Sequence, residues 1–207
     1  MPFSRRDFLK AAGQGIALTA IAAERSASVA AALDAPVRRL SLPAPIAREA
    51  GTFLVNGKTF AAEYETRTTL WEVLAVKLGL TGTNRSCNKA SCGACSVLVD
   101  GRPLYSCHTL AMEAVGKKIL TVEGLGDERN LHTLQKVAHI HNAAECGFCT
   151  PGWEVTAKGL LDKNPNPNID EVKAALAGHL CRCAAYEAII ATVIDTGRVL
   201  RGEAEIV

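Results

Sequence analysis

The residues of this chain that could do chemistry are its eight cysteines, which fall into two groups. The first group has the spacing C-x4-C-x2-C followed by a fourth cysteine beyond a strand-like run. This spacing is typical of a plant-type [2Fe–2S] cluster, because three thiolates on a tight loop wrap one side of a compact cofactor and a fourth arrives from a separate element. The four candidate ligands are Cys87, Cys92, Cys95 and Cys107.

The second group combines a C-x2-C pair, Cys146 and Cys149, with a C-x-C pair, Cys181 and Cys183. Each pair precedes a predicted helix, so four thiolates converge if the two helices share an end, where N–H groups and the helix dipole stabilise negative charge. Taken alone, this pattern also fits a structural zinc site. The neighbouring ferredoxin-type loop favours a second iron–sulfur cluster, and a redox dithiol is disfavoured because no thioredoxin-like pattern surrounds the C-x2-C pair.

The N-terminus, residues 1–32, indicates export. Ser4-Arg5-Arg6-Asp7-Phe8-Leu9-Lys10 has the form of a twin-arginine signal, and an apolar run and small residues suited to cleavage follow it. The apolar run is too short for a membrane span, which needs roughly 20 residues. Because the twin-arginine route exports proteins already folded, it suits cofactors inserted beforehand and argues against a scaffold of four disulfides formed after export.

The charge of the chain gives no sign of nucleic-acid binding. The formal net charge is +2, and residues 1–32 carry four basic and two acidic groups, which account for that whole excess. The remaining chain is electrically balanced. Residues 33–50 contain three prolines and no clear period, so we predict a linker there.

We predict an α+β chain in which residues 51–124 form a ferredoxin-like β-grasp domain. Asn56-Gly57 is a strong hairpin signal. A helix is expected from a cap at Thr68-Thr69 to Gly79, with Trp71 and Val76 both on its apolar face and Trp71 in the core. A second turn is expected at Asp100-Gly101. The predicted strands are Thr52–Val55, Lys58–Glu63, Ser96–Val99, the return run toward Cys107, and Ile119–Val122.

Residues 125–207 predict a small domain of four helices that carries the second cysteine group. Asp170 is expected to cap the third helix, after a break at Asn164–Asn168. His179 is expected to face solvent at a helix end, and Phe148 is expected to shield the nearby cluster from water. The predicted helices are Leu131–Asn142, Thr150–Asp162, Asp170–Ala177 and Ala184–Leu200.

The segments GTNRSCNKASCGACSVLVDG, ECGFCTPGW and LCRCAAY, in this order, resemble the two-cluster iron–sulfur subunit of the xanthine oxidase family of molybdenum hydroxylases. The resemblance covers about 51–200, and with the leader it points to exported, periplasmic aldehyde oxidoreductases. It implies two [2Fe–2S] clusters in this chain, a large partner subunit with molybdenum-pterin, and an FAD or cytochrome c subunit as electron acceptor.

The resemblance also assigns roles to individual residues. The first four cysteines would hold the outer cluster and the second four the cluster nearer molybdenum, with Cys183 also touching the pterin. Glu145 stands where the family usually has a glutamine bonded to the pterin, and a carboxylate cannot donate unless protonated. Ser86 and Ala90 replace usual glycines, and Ala90 would cost about 1 kcal/mol if its position needs positive φ.

We therefore expect an electron-transfer subunit without a substrate site of its own. Two other functions stay open from the sequence: a free-standing two-cluster electron carrier, and the small subunit of an N-heterocycle hydroxylase. The balanced charge argues mildly against a free-standing carrier, because such a protein needs a charged docking face.

Overall fold

The structure is a computed structural model that describes Lys10 and residues 46–206. The predicted leader and most of the predicted linker therefore lie outside the described residues. None of the described helices is long and apolar enough to cross a bilayer. Residues 46–206 form one compact unit, in which a sheet-based half precedes a helical half.

The first half is a five-stranded mixed sheet with the strand order β2-β1-β5-β3-β4. Strands β1 and β5 pair in parallel, and the other neighbours pair antiparallel. This sheet has the hairpin, helix and Cys-loop plan expected of a ferredoxin-like β-grasp. The strands are β1 (Arg48–Val55), β2 (Lys58–Glu65), β3 (Ser96–Val99), β4 (Arg102–Tyr105) and β5 (Lys118–Leu120).

Two tight turns fix the register of this sheet. Asn56 and Gly57 join β1 to β2 with φ values of 50° and 76°, and Asp100 and Gly101 join β3 to β4 with 49° and 73°. Two consecutive residues at positive φ make the turn whose twist matches the strands it joins, so both predicted hairpins are confirmed. Strand β1 begins at Arg48, four residues before the predicted start at Thr52 and inside the predicted linker.

The helix packed on the sheet, α1 (Glu72–Lys77), is wound as a π-helix. Thr69 and Glu72 cap it reciprocally: the Thr69 N–H donates to Glu72 Oε2 at 2.8 Å, and the Glu72 N–H donates to Thr69 Oγ1 at 3.3 Å. Val76, placed on the apolar face by the sequence, is instead 67% exposed. The predicted apolar residues covered more of the circumference than the single stripe that a helix on a sheet can bury.

The second half consists of four helices around the fully buried Trp153. All four predicted helices are present, with ends that differ from the prediction by at most two residues. Helix α3 also packs on the sheet, where Val155 contacts Leu98 of β3, and so joins the two halves. The helices are α2 (Thr133–Ile140), α3 (Thr150–Leu161), α4 (Ile169–Leu176) and α5 (Tyr186–Leu200).

Helix α4 is capped by Asn168, and the prediction of Asp170 as its cap is wrong. The Asn168 side chain accepts hydrogen bonds from the N–H groups of Asp170 and Glu171, both at 3.0 Å. In the other direction, the Asn168 N–H donates to Glu171 Oε2 at 2.8 Å. Asp170 lies in the first turn, where its charge meets only the helix dipole.

Replacing Asn168 should therefore destabilise the chain more than replacing Asp170. We expect Asn168→Ala to lower the free energy of unfolding by about 1 kcal/mol, because two N–H groups lose their acceptor. Asp170→Ala is the matched control, and its smaller effect should shrink in high salt. Urea unfolding of both variants measures the difference; equal losses at high salt would contradict the assignment of the cap.

Candidate metal centres

The structure brings the first four cysteines together at the end of the sheet. Cys87, Cys92 and Cys95 lie on the loop before β3, and Cys107 follows β4. The side chain of Cys92 lies beside the Cys87 thiol, and the side chain of Cys107 lies beside the Cys95 thiol. Two pairs are what a two-iron cluster requires, because each tetrahedral iron takes two thiolates and two bridging sulfides.

Backbone N–H groups surround the outermost of these thiols. The amides of Lys89 and Ser91 both donate to Cys87 Sγ at 3.4 Å, and together they lower the pKa of Cys87 to about 7. The loop turns these amides inward by placing Asn88 and Ala90 at φ values of 53° and 54°. Ala90 therefore does occupy a position of positive φ, with the expected cost of about 1 kcal/mol relative to glycine.

The deeper thiols of both groups lie in surroundings that oppose ionisation. Burial raises the pKa of Cys95 to about 12, and burial also raises the pKa of Cys149 to about 12. Such thiols become thiolates only when a cation offsets the loss of solvation, as iron does when it binds. The chemistry of these donors thus fits a metal cofactor better than free thiol reactivity.

The second four cysteines meet where α3 and α5 begin. Cys146 contacts Cys183, and Cys149 contacts Cys181, again as two pairs. Within residues 46–206, no three His, Cys, Asp or Glu side chains gather closely enough to hold a single metal ion. This two-by-two arrangement fits a two-iron cluster, in which each iron takes two thiolates.

Unpartnered polar atoms around the second site also fit a cofactor. Thr150 Oγ1, Trp153 Nε1 and His179 Nδ1 are buried without a hydrogen-bond partner. Thr150 adjoins Cys149, Trp153 lies one helical turn beyond it, and His179 lies two residues before Cys181. Buried polar groups are normally satisfied, so the Thr150 hydroxyl and the Trp153 indole N–H, which can both donate, fit a pocket shaped for an additional, acceptor-rich group.

One edge of the second site is open to solvent. Glu145 and Cys146 are exposed, and Phe148 is 48% exposed, so it does not shield the site in this chain as expected. Any contact between Glu145 and a pterin would have to form with another subunit.

The two sites approach each other through backbone. The Leu180 N–H, one residue before Cys181, donates to the carbonyl of the ligand candidate Cys92 at 3.0 Å. Gly93 and Gly152 make this approach possible, because a Cβ on Gly152 would overlap the Gly93 carbonyl. A second bridge runs from Asn84 Nδ2 to the carbonyl of Phe148 at 2.8 Å.

His179 is not the solvent-facing residue that the sequence suggested. Its Nε2 lies 3.1 Å from Ser96 Oγ and 3.2 Å from Thr156 Oγ1, and its Nδ1 is buried. Burial lowers the pKa of His179, which keeps the ring neutral at neutral pH. No local sequence pattern indicates this position, because both hydroxyl partners are far away along the chain.

Trp71 is half-buried rather than part of the core. Its Nε1 donates to the carbonyl of Thr83 at 2.8 Å, and the guanidinium of Arg85 lies 3.8 Å from the ring centroid. The side chain thus anchors the start of the first cysteine loop by a hydrogen bond and a cation–π contact.

Two family models match the chain, and together they span most of the described residues. One is described as a 2Fe-2S iron-sulfur cluster binding domain and matches residues 53–121. The other is described as a [2Fe-2S] binding domain and matches residues 121–194. Fold and site together therefore define a protein with two [2Fe–2S] domains.

Comparison with individual proteins shows which group of [2Fe–2S] proteins the chain is similar to. The chain is 36% identical to the aldehyde oxidoreductase iron-sulfur-binding subunit PaoA of Escherichia coli, over 94% of this chain and 88% of that one. It is 41% identical to the aldehyde oxidoreductase of Megalodesulfovibrio gigas over 72% of this chain, but spans only 17% of that longer protein. A chain in the crystal structure of quinoline 2-oxidoreductase from Pseudomonas putida 86 superposes with a TM-score of 0.70 at 41% identity, covering 76% of this chain and 99% of that one.

The chain belongs to the iron–sulfur subunits of the xanthine oxidase family of molybdenum hydroxylases. It is thus a subunit of a molybdenum-dependent oxidoreductase.

The buried carboxyl group of Glu154 on α3 should make the free energy of unfolding depend on pH. Burial raises its pKa to about 7 from 4.5, although a hydrogen bond from Gln135 pulls the other way. Between those values the folded state holds a proton that the unfolded state has lost, so stability falls as pH rises. Glu154→Gln should therefore change little near pH 5 and stabilise the chain by roughly 2–3 kcal/mol at pH 8.

Denaturant unfolding of the isolated subunit at both pH values measures this effect. Glu187→Gln, which removes an exposed carboxylate on α5, is the control and should leave the pH profile unchanged. A Glu154→Gln variant with the wild-type slope between pH 5 and 8 would contradict the prediction.

Proposed function

We propose that this chain is the electron-transfer subunit of a periplasmic molybdenum hydroxylase, of the aldehyde oxidoreductase type. The observation that carries the proposal is the pair of four-thiol sites that meet through the hydrogen bond from the Leu180 N–H to the carbonyl of Cys92. Such an arrangement suits a relay, whose task is to hold two redox centres close together and keep water from between them.

In this proposal each site holds one [2Fe–2S] cluster, and each cluster accepts and releases one electron at a time when bound. The chain's own residues hold and tune it. The Lys89 and Ser91 amides point at Cys87, where they stabilise negative charge on sulfur. The outer ligands are Cys87, Cys92, Cys95 and Cys107, and the inner ligands are Cys146, Cys149, Cys181 and Cys183.

The open edge of the inner site supports its assignment as the face toward the partner's molybdenum-pterin. Glu145 and Cys146 are exposed and Cys183 is partly so, which leaves them free to contact a large partner subunit. At the other site, Arg85 and Lys89 are exposed beside Cys87 and give that rim positive charge. We assign this rim to the electron acceptor, an FAD or cytochrome c subunit.

One bonded route between the sites runs from Cys181 to the Leu180 N–H and across its hydrogen bond to the Cys92 carbonyl. The substrate would be oxidised in the large subunit, and we place no substrate site on this chain. Aldehydes are the proposed substrate class, on the strength of the PaoA relative. The quinoline 2-oxidoreductase relative favours the second candidate, the small subunit of an N-heterocycle hydroxylase.

Metal analysis tests the cofactors. The purified chain should be red-brown, hold about four irons, and show two distinct [2Fe–2S] signals by EPR after dithionite reduction. Cys87→Ser should lose or alter the outer signal and leave the inner one, whereas Ser91→Ala, the control in the same loop, should keep both because its backbone amide still donates. A colourless, folded protein that binds zinc would sink the proposal.

Co-purification tests the partners. A large molybdenum subunit should accompany the tagged chain from its native host, and the complex should oxidise aldehydes in preference to heteroaromatic compounds. The opposite preference would establish the N-heterocycle candidate. A red-brown chain that purifies alone and exchanges electrons with diffusing proteins would instead be a free-standing carrier.

We propose that the subunit reaches the periplasm by the twin-arginine route, on the basis of Arg5 and Arg6 in the leader. Changing both to lysine should leave the protein in the cytoplasm, because that route reads the arginine pair. Arg25→Lys, in the same leader, should not affect export. Fractionation and immunoblotting measure the distribution; export of the double variant at wild-type levels would rule the route out.

A further inference from the structure

His179 touches structural segments from both metal centres. Its backbone belongs to the turn that leads into Cys181. Its ring reaches Ser96, which directly follows the Cys95 loop of the outer site, and Thr156 on α3, the helix that begins beside Cys149.

The hydrogen bonds around the ring fix its tautomer. Ser96 Oγ donates its hydrogen to the carbonyl of Gly93 at 2.7 Å. The Ser96 oxygen can therefore only accept from the ring, so His179 Nε2 carries the hydrogen. Two successive hydrogen bonds, from His179 Nε2–H to Ser96 Oγ and from Ser96 Oγ–H to the Gly93 carbonyl, therefore connect His179 to the loop between Cys92 and Cys95.

Other bonds hold the same turn on either side of His179. The Tyr105 hydroxyl donates to the carbonyl of Gly178 at 3.4 Å, and the Leu180 N–H donates to the carbonyl of Cys92 at 3.0 Å. The Cys181 N–H donates to the Tyr186 hydroxyl at 2.9 Å. Of the residues from 178 to 181, His179 is the one whose side chain fixes the turn to both halves of the chain.

We propose that His179 is a positioning residue for electron transfer: its ring fixes the spacing of the two centres and the hydrogen bond from Leu180 to Cys92 through which they communicate. This inference rests on the proposed relay function. It requires only the geometry of a neutral ring and no change in protonation. Without the ring's bonds, the turn is expected to shift away from the Cys92–Cys95 loop, and the bond from Leu180 to lengthen.

Two substitutions separate the hydrogen bonds from the volume of the ring. His179→Leu fills much of the space but cannot bond to Ser96 or Thr156. His179→Gln places an amide near the position of Nε2 and should restore the bonds. The matched controls are His139→Leu and His139→Gln, which make the same changes at an exposed histidine of α2.

The assembled enzyme is reduced and examined by EPR for magnetic coupling between the two clusters, and electron exchange between them is timed after rapid photoreduction. Iron content and thermal midpoint are recorded for each variant. We expect His179→Leu, at full iron content, to weaken the coupling and slow the exchange, and His179→Gln to recover both. Unchanged coupling and rate in a fully loaded His179→Leu variant would overturn the inference.

If His179→Leu fails to hold both clusters, Thr156→Val decides, because it removes one of the two bonds without altering the turn. Slower electron exchange in Thr156→Val supports the proposal. Exchange at the wild-type rate in Thr156→Val, together with a His179→Gln variant that behaves like His179→Leu, overturns it. A wild-type protein without two cluster signals would instead refute the relay function itself, so the two failures are distinguishable.

Discussion

The rest of this structure depends on the close approach of two stretches of backbone that each carry ligand cysteines. The Leu180 N–H bonds to the Cys92 carbonyl, and Gly93 lies against Gly152 with no room for a Cβ on the latter. Side chains at these glycines would push the sheet half and the helical half apart. Because the rate of electron transfer falls steeply with distance, this contact decides whether electrons can pass between the two cysteine sites.

Local sequence patterns predicted most of the individual elements. Asn56-Gly57 and Asp100-Gly101 identified both hairpins, because these residue pairs favour the two consecutive positive φ values of a tight turn between antiparallel strands. The spacing of the cysteines predicted two sites because ligands on tight loops must follow the shape of the cofactor. Patterns of this kind work where the physical constraint lies within a few residues of sequence.

Predictions that depended on distant contacts were less successful. His179 could not be placed because its partners, Ser96 and Thr156, are 83 and 23 residues away. The apolar face of the predicted helix places Trp71 in the core, yet Arg85 and Thr83 hold it at the edge. Asp170 is suited to a helix cap by residue type, but Asn168, two residues earlier, has the extended backbone of the cap and accepts the hydrogen bonds.

The exposed rim of the inner site has a consequence for biosynthesis. Before cofactor insertion Cys146 is a solvent-facing thiol, and the Phe148 amide lowers its pKa. Such a thiol is open to peroxides, which convert it first to a sulfenic acid and then to oxidation states that cannot bind iron. Maturation of this subunit is therefore best completed in a reducing compartment, and a large subunit bound at this rim, as proposed above, would also protect the thiol from oxidation.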